Sequence, residues 1–199
     1  MRKMFSLAVA ALMATMNVNA QNNGYDTRHE IGISYGAGCN SDIITSFGGA
    51  LGKALVGAQS DNDSRFGTIA VEYFYHTSKV IGVGAIAGFG QNKEDTRSKN
   101  TGELWGSNTD TYYTIMPAVK FNWLRKSHFG MYSKLAAGIM FSRFRYERTD
   151  GKENTDNSTD FNWQVSLIGV EAGSATLRGF AELGSGEQGI ILAGVRYKF

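Results

Sequence analysis

Counting by twos back from the C-terminus puts Phe199, Tyr197, Val195, Ala193 and Ile191 on one face of the last stretch, and Lys198, Arg196, Gly194, Leu192 and Ile190 on the other. This is the pattern of a strand with one charge-free face. It ends on an aromatic residue, and roughly 9 to 11 alternating residues carry a tilted strand across a bilayer. The same period of two recurs upstream. It predicts strands over residues 28–36, 66–76, 80–90, 110–123 and 128–146, a sixth from Phe161, a seventh over 176–184 and the closing strand from 189. Pro117, inside the fourth strand, has no amide hydrogen to give to a ladder, which predicts a bulge there.

The connections alternate in length. Long polar stretches follow strands one, three and five (37–65, 91–108 and 147–160), and short turns follow strands two, four and six. Only the connection after strand seven, 185–188, is short where the alternation calls for a long one. Both termini then fall on the short-turn rim, which predicts an all-β, eight-stranded antiparallel up-and-down transmembrane barrel forming one domain over 21–199. Within 40–58, Ile44, Phe47, Leu51 and Leu55 recur at helical spacing, opposed by Gly48, Gly49 and Gly52. The fifth strand is longer than a bilayer requires and is expected to project, offering an edge for pairing with another protein.

Alternation alone fits a soluble, lipocalin-like barrel turned inside out equally well. Two features decide for the membrane. The apolar face carries aromatics towards the strand ends: Tyr73, Tyr75, Tyr113, Phe121, Trp123, Phe129, Phe141, Phe161, Trp163 and Tyr197, placed as interfacial girdles. The opposite face is rich in Gly, Ala and Ser and holds only a few ions of both signs, too few for a water-facing exterior. These are Glu30, Glu72, Glu182, Lys120, Lys134, Arg178 and Arg196, with Lys198 beside them. In a narrow lumen they must pair, so a salt-bridged, closed interior with a structural role is expected.

The N-terminus changes the picture by adding export. Arg2 and Lys3 precede an apolar run from Met4 to Met16, and Val18-Asn19-Ala20 supplies small residues for a signal peptidase, so residues 1–20 read as a cleaved signal peptide. Without that leader the chain has 18 Lys+Arg against 18 Asp+Glu, which speaks against nucleic-acid binding. A lone cysteine, Cys39, allows no intramolecular disulfide and reads as an ordinary loop residue. Glycine, at 25 of 199 residues against a single proline, fits closely packed, twisted strands rather than disorder.

Candidate chemistry is sparse. His29, His76 and His128 all fall on the short-turn rim, and no nucleophile, base and orienting group can be assembled around them, so no enzyme is expected. No pair spaced on one element indicates a metal, and no cofactor motif is present.

The leader, the eight strands, the alternating connections and the terminal GVRYKF together resemble the small outer-membrane β-barrel family of the OmpX and OmpA transmembrane-domain type. The resemblance implies the outer membrane of a Gram-negative bacterium, contact with outer-membrane lipid, and recognition of Phe199 by the barrel assembly machinery. It leaves two classes of function. One is a scaffold whose loops meet a surface protein or ligand, and the other a small pore for ions or solutes. A soluble carrier of an apolar ligand is a distant third.

Overall fold

The structure, a computed structural model, describes residues 27–39, 58–98, 104–149 and 153–199. The proposed leader and all but the last residue of the 40–58 segment lie outside them. Eight strands follow one another: β1 (His29–Ala37), β2 (Ala58–His76), β3 (Ile81–Ser98), β4 (Leu104–Arg125), β5 (Phe129–Arg148), β6 (Glu153–Gly173), β7 (Leu177–Gly186) and β8 (Ile191–Lys198). Each pairs antiparallel with its neighbours, and β1 pairs with β8 to close the barrel. The seam is tied at its end by reciprocal backbone hydrogen bonds of 2.9 Å between His29 and Phe199.

The barrel has the polarity of a membrane protein. Large apolar side chains cover its outside, with Phe161 75%, Leu167 67%, Ile191 60% and Ile115 59% exposed. A soluble protein does not expose a continuous band of this kind. The charges are inside, opposite to a soluble carrier with an apolar cavity. The chain is therefore a transmembrane β-barrel whose apolar belt faces hydrocarbon.

Three sequence expectations are corrected. The stretches 91–108 and 147–160 are not loops but mostly ladder: β3 runs to Ser98, β4 starts at Leu104, β5 runs to Arg148 and β6 starts at Glu153. β2 likewise begins at Ala58, inside the expected first connection. Beyond the belt both faces of a sheet meet water, so the apolar alternation fades while backbone pairing continues. Pro117 produces no bulge either. It pairs with Ala85 on β3, and on the β5 side the ladder steps from Ile115↔Ile139 to Ala118↔Ala136 without a change of register. Gly138 accommodates this close approach, since a Cβ there would sit 2.1 Å from the Ile115 carbonyl oxygen.

The bulges lie elsewhere. On β4 the register shifts between Asn122 and Leu124, and on β6 it shifts around Leu167 against both β5 and β7. Leu167 and Ile168 consequently both face outward, at 67% and 45% exposure. The inward set on β6 passes from even numbers (Asn162, Gln164, Ser166) to odd ones (Gly169, Glu171), and these five side chains or positions are buried.

Candidate functional site: a filled lumen and a protruding ladder

The half of the lumen nearest the short turns is occupied by ions. Glu30 of β1 receives Lys120 Nζ at 2.6 Å, and its other oxygen lies 3.0 Å from His76 Nε2. Lys134 sits between Glu72 at 2.9 Å and Glu182 at 2.8 Å. Arg196 donates through Nη1 to Glu171 at 2.8 Å and through Nη2 to Glu72 at 2.5 Å. Its guanidinium lies 3.9 Å from the Phe180 ring centroid and 4.7 Å from that of Tyr132. Tyr132 donates to Glu182 at 2.7 Å and accepts from Arg196 Nη2 at 3.0 Å. Strands on opposite sides of the barrel thus share one hydrogen-bonded network.

Glu171 gathers the most cations. It accepts from Arg178 Nη1 at 2.6 Å, from Arg196 and from Lys198, with Lys120 at 3.6 Å. Arg178 also donates to the carbonyls of Lys126 and Ser127, each at 2.8 Å, and of Ser174 at 3.2 Å, so one side chain staples the β4–β5 and β6–β7 turns. Arg125 donates to the Thr27 carbonyl at 2.5 Å and holds the start of the described chain against the same rim. The ion-paired side chains of this network are at most 2% exposed, so bulk water does not reach them. In such surroundings each charge is tolerable only because partners of opposite sign saturate it.

Every lumen ion named from the sequence, Lys198 included, lies inside this network. Three members were not singled out. Glu171 is hidden by the Leu167 bulge, because counting by twos from Ser166 assigns it to lipid. Tyr132 shares the parity of Lys134 and was legible as inward, but not as a hydrogen-bonding group. His76 is placed by the sequence at the rim end of the second strand, with no signal that it pairs with Glu30.

The other half of the lumen is polar, and among the described residues neutral groups hydrogen-bond to one another there. Thr68 donates to Cys39 Sγ at 3.0 Å, and Cys39 is buried inside the barrel mouth rather than lying on a loop surface. Gln164 receives the Gln188 amide at 2.8 Å and donates to the Gly189 carbonyl at 3.2 Å, which folds the β7–β8 connection over the opening. An apolar stripe of Ala70, Phe74, Ile86, Met116, Ala118 and Ala136 completes the filling.

Outside, the aromatics sort into two rims. Tyr73, Tyr75, Phe121, Trp123, Phe129 and Tyr197 lie towards the short turns, while Tyr113, Phe141, Phe161 and Trp163 lie towards the other end. His29 stacks on Phe199 with ring centroids 5.4 Å apart, and the Tyr197 and Phe199 rings are 5.8 Å apart. The three histidines do not meet. His29 is outside on this aromatic cluster, His76 is inside against Glu30, and His128 is exposed beside Ser127. Among the described residues no group of three or more His, Cys, Asp or Glu is arranged to hold a metal ion.

Among the described residues, β2 to β6 continue above the belt. β5 is paired on both sides along its projecting part, so it is not the edge expected from the sequence. Among the described residues the ladder has two edges, β2, whose residues 58–67 find a strand partner on β3 alone, and β6. β7 pairs with β6 only from Gln164 onward, which leaves residues 153–163 with a strand partner on β5 alone among the described residues. Glu187 N donates to Trp163 O at 3.0 Å on that open side, so by strand alternation Phe161, Thr159, Asn157, Thr155 and Glu153 turn their backbone groups the same way. Two of these amides are held by the preceding side chain, Asn157 N by Asp156 at 2.9 Å and Trp163 N by Asn162 at 2.8 Å.

No protein-family model matches the sequence, and no curated protein matches it either. Among solved structures, the chain is similar to Ail, the attachment invasion locus protein of Yersinia pestis, with a TM-score of 0.48 and 14% identity over 87% of this chain and 99% of that one. The structure of Ail in complex with the heparin analogue sucrose octasulfate gives 0.47 at the same identity and coverage.

Proposed function

We propose that the protein is a surface-contact scaffold of a Gram-negative outer membrane, with the short-turn rim in the periplasm and the β2–β6 ladder outside the cell. The observation that carries this reading is the filled lumen: a barrel whose interior ions are saturated by one another serves as an anchor, and the polar ladder is the part left to meet a partner. The contact regions are residues 91–108 and 147–160 together with the open edge of β6, where an extended segment can add as a further strand. Phe199 is read as the signal taken by the barrel assembly machinery, and outer-membrane lipid is the partner of the belt.

The test is to shorten the β3–β4 and β5–β6 ladders to the level of the aromatics and compare cells bearing the full and shortened barrels for retention on immobilised proteins and polysaccharides. Retention by the full barrel alone, with both forms showing the heat-dependent mobility of a folded barrel, supports the reading. Equal retention by the two sinks it.

A further inference from the structure

The inner face of the projecting ladder carries two aromatic rings, each flanked by a matched pair of polar side chains. Pairing fixes which residues share a row across β3, β4, β5 and β6. Above the row Gly90, Tyr112, Ser142 and Ser158 comes Asn92, Asp110, Phe144 and Asp156, and then Glu94, Asn108, Tyr146 and Asn154. Tyr112, Ser142 and Asn92 are buried, which turns this face inward, whereas Tyr113, Phe141 and Arg143 are exposed on the other face. Phe144 thus lies between Asp110 and Asp156, and Tyr146 between Asn108 and Asn154. Both rings are half-buried, and Tyr112 stands edge-on to Phe144 with centroids 6.1 Å apart, which braces that ring. One row below Phe144, Ser142 Oγ is buried and has no hydrogen-bond partner among the described residues. A hydroxyl so placed is costly unless a ligand or a water meets it. The other charged positions of this parity are Glu94 and Asp160, with Arg65 opposite Asn92 on β2 and Arg148 opposite Gly106 at the margins.

We infer that this face binds a neutral oligosaccharide, with pyranose rings stacked on Phe144 and Tyr146 and their hydroxyls held by Asp110, Asp156, Asn108 and Asn154. The face of a pyranose ring presents C–H groups to an aromatic, while its edge carries hydroxyls that both donate and accept. Neighbouring strands lie about 4.8 Å apart, so the flanking groups stand at the edge of a sugar seated on the ring between them. A carboxylate accepts from two hydroxyls, and an amide donates and accepts at once. The two rings are two residues apart on one strand, about 7 Å, which lets two sugar units of one chain be held together. Acids at the centre of the face repel sulfated or phosphorylated sugars. A basic peptide would be matched by acids in both rows, and the asparagines around Tyr146 favour a neutral ligand instead. The inference rests on the scaffold reading above and deepens it by naming the class of partner.

The experiment is isothermal titration of the refolded full barrel, in the sugar-free detergent dodecylphosphocholine, with cellohexaose, maltohexaose, chitohexaose and mannohexaose. At least one is bound, and about 0.5 M salt leaves its affinity unchanged. Phe144→Leu and Tyr146→Leu, which keep apolar bulk and remove the ring, each weaken binding about tenfold or more. Thr109→Ala/Arg143→Gln, on the opposite face, binds as the wild type does. Heat-dependent mobility confirms that each variant is folded. No binding of any of these oligosaccharides, undiminished affinity in either leucine variant, an equal loss in the opposite-face variant, or tighter, salt-sensitive binding of hexalysine overturns the assignment. Ladder-dependent retention of cells on immobilised proteins would in that event leave the scaffold reading standing.

Discussion

Arg196 of β8 reaches across β7 to place Nη1 2.8 Å from the Glu171 carboxylate of β6. Lys198 and Arg178 close on the same carboxylate. Removing its charge leaves three buried cations short of a partner, so Glu171→Gln is expected to destabilise the barrel by about 3–5 kcal/mol. Urea unfolding in lipid bilayers measures this. Glu153→Gln is the control, since Glu153 holds Arg145 at a half-exposed site, and it is expected to cost about 1 kcal/mol or less. Equal effects of the two would show that the lumen network contributes nothing special.

The β6 bulge makes a second prediction. Strict alternation sends only one of Leu167 and Ile168 to lipid, whereas the structure sends both. Leu167→Arg and Ile168→Arg should therefore each cost about 2–4 kcal/mol in bilayer unfolding experiments. An innocuous Ile168→Arg would place that residue in the lumen and remove the bulge.

That bulge also explains what the sequence could and could not show. Alternation found all eight strands within the belt and the inward face of seven lumen ions, because lipid on one side and a narrow polar interior on the other impose the period of two. Glu171 escaped, since one inserted residue reverses the parity after Ser166 and nothing in the composition of Leu167 or Ile168 marks the insertion. The projecting parts of β3, β4 and β6 escaped for a different reason: with water on both faces, Lys93, Thr109 and Thr155 carry no burial pattern, whereas β5 was expected to project as far as residue 146. Their threonines were the only residual strand signal.

Gly138 tests the close passage of β4 beside Pro117. A Cβ at this position would meet the Ile115 carbonyl oxygen at 2.1 Å and Met116 Cα at 2.8 Å. Gly138→Ala should cost about 1–3 kcal/mol, as overpacking does. At Gly179 the nearest atom to a Cβ is 3.9 Å away, so Gly179→Ala should stay within about 0.5 kcal/mol of the wild type. A neutral Gly138→Ala would mean that β4 and β5 sit further apart there.

The C-terminal aromatic has two roles to separate. Its backbone closes the seam on His29, which any residue can do, while its ring is the proposed assembly signal. Phe199→Ser is expected to lower the amount of folded barrel in cells several-fold while leaving the yield of refolding from urea into detergent nearly unchanged. A parallel fall in both would assign the ring to stability through its stacking on His29 and Tyr197.

A lumen filled by mutually saturated ions is expected not to conduct. The direct measurement is the current through planar bilayers holding the refolded wild-type barrel, with insertion verified by heat-dependent mobility. Inserted barrel with no discrete conductance steps is the predicted result. Stable, reproducible steps in the wild type would contradict it and make the protein a pore.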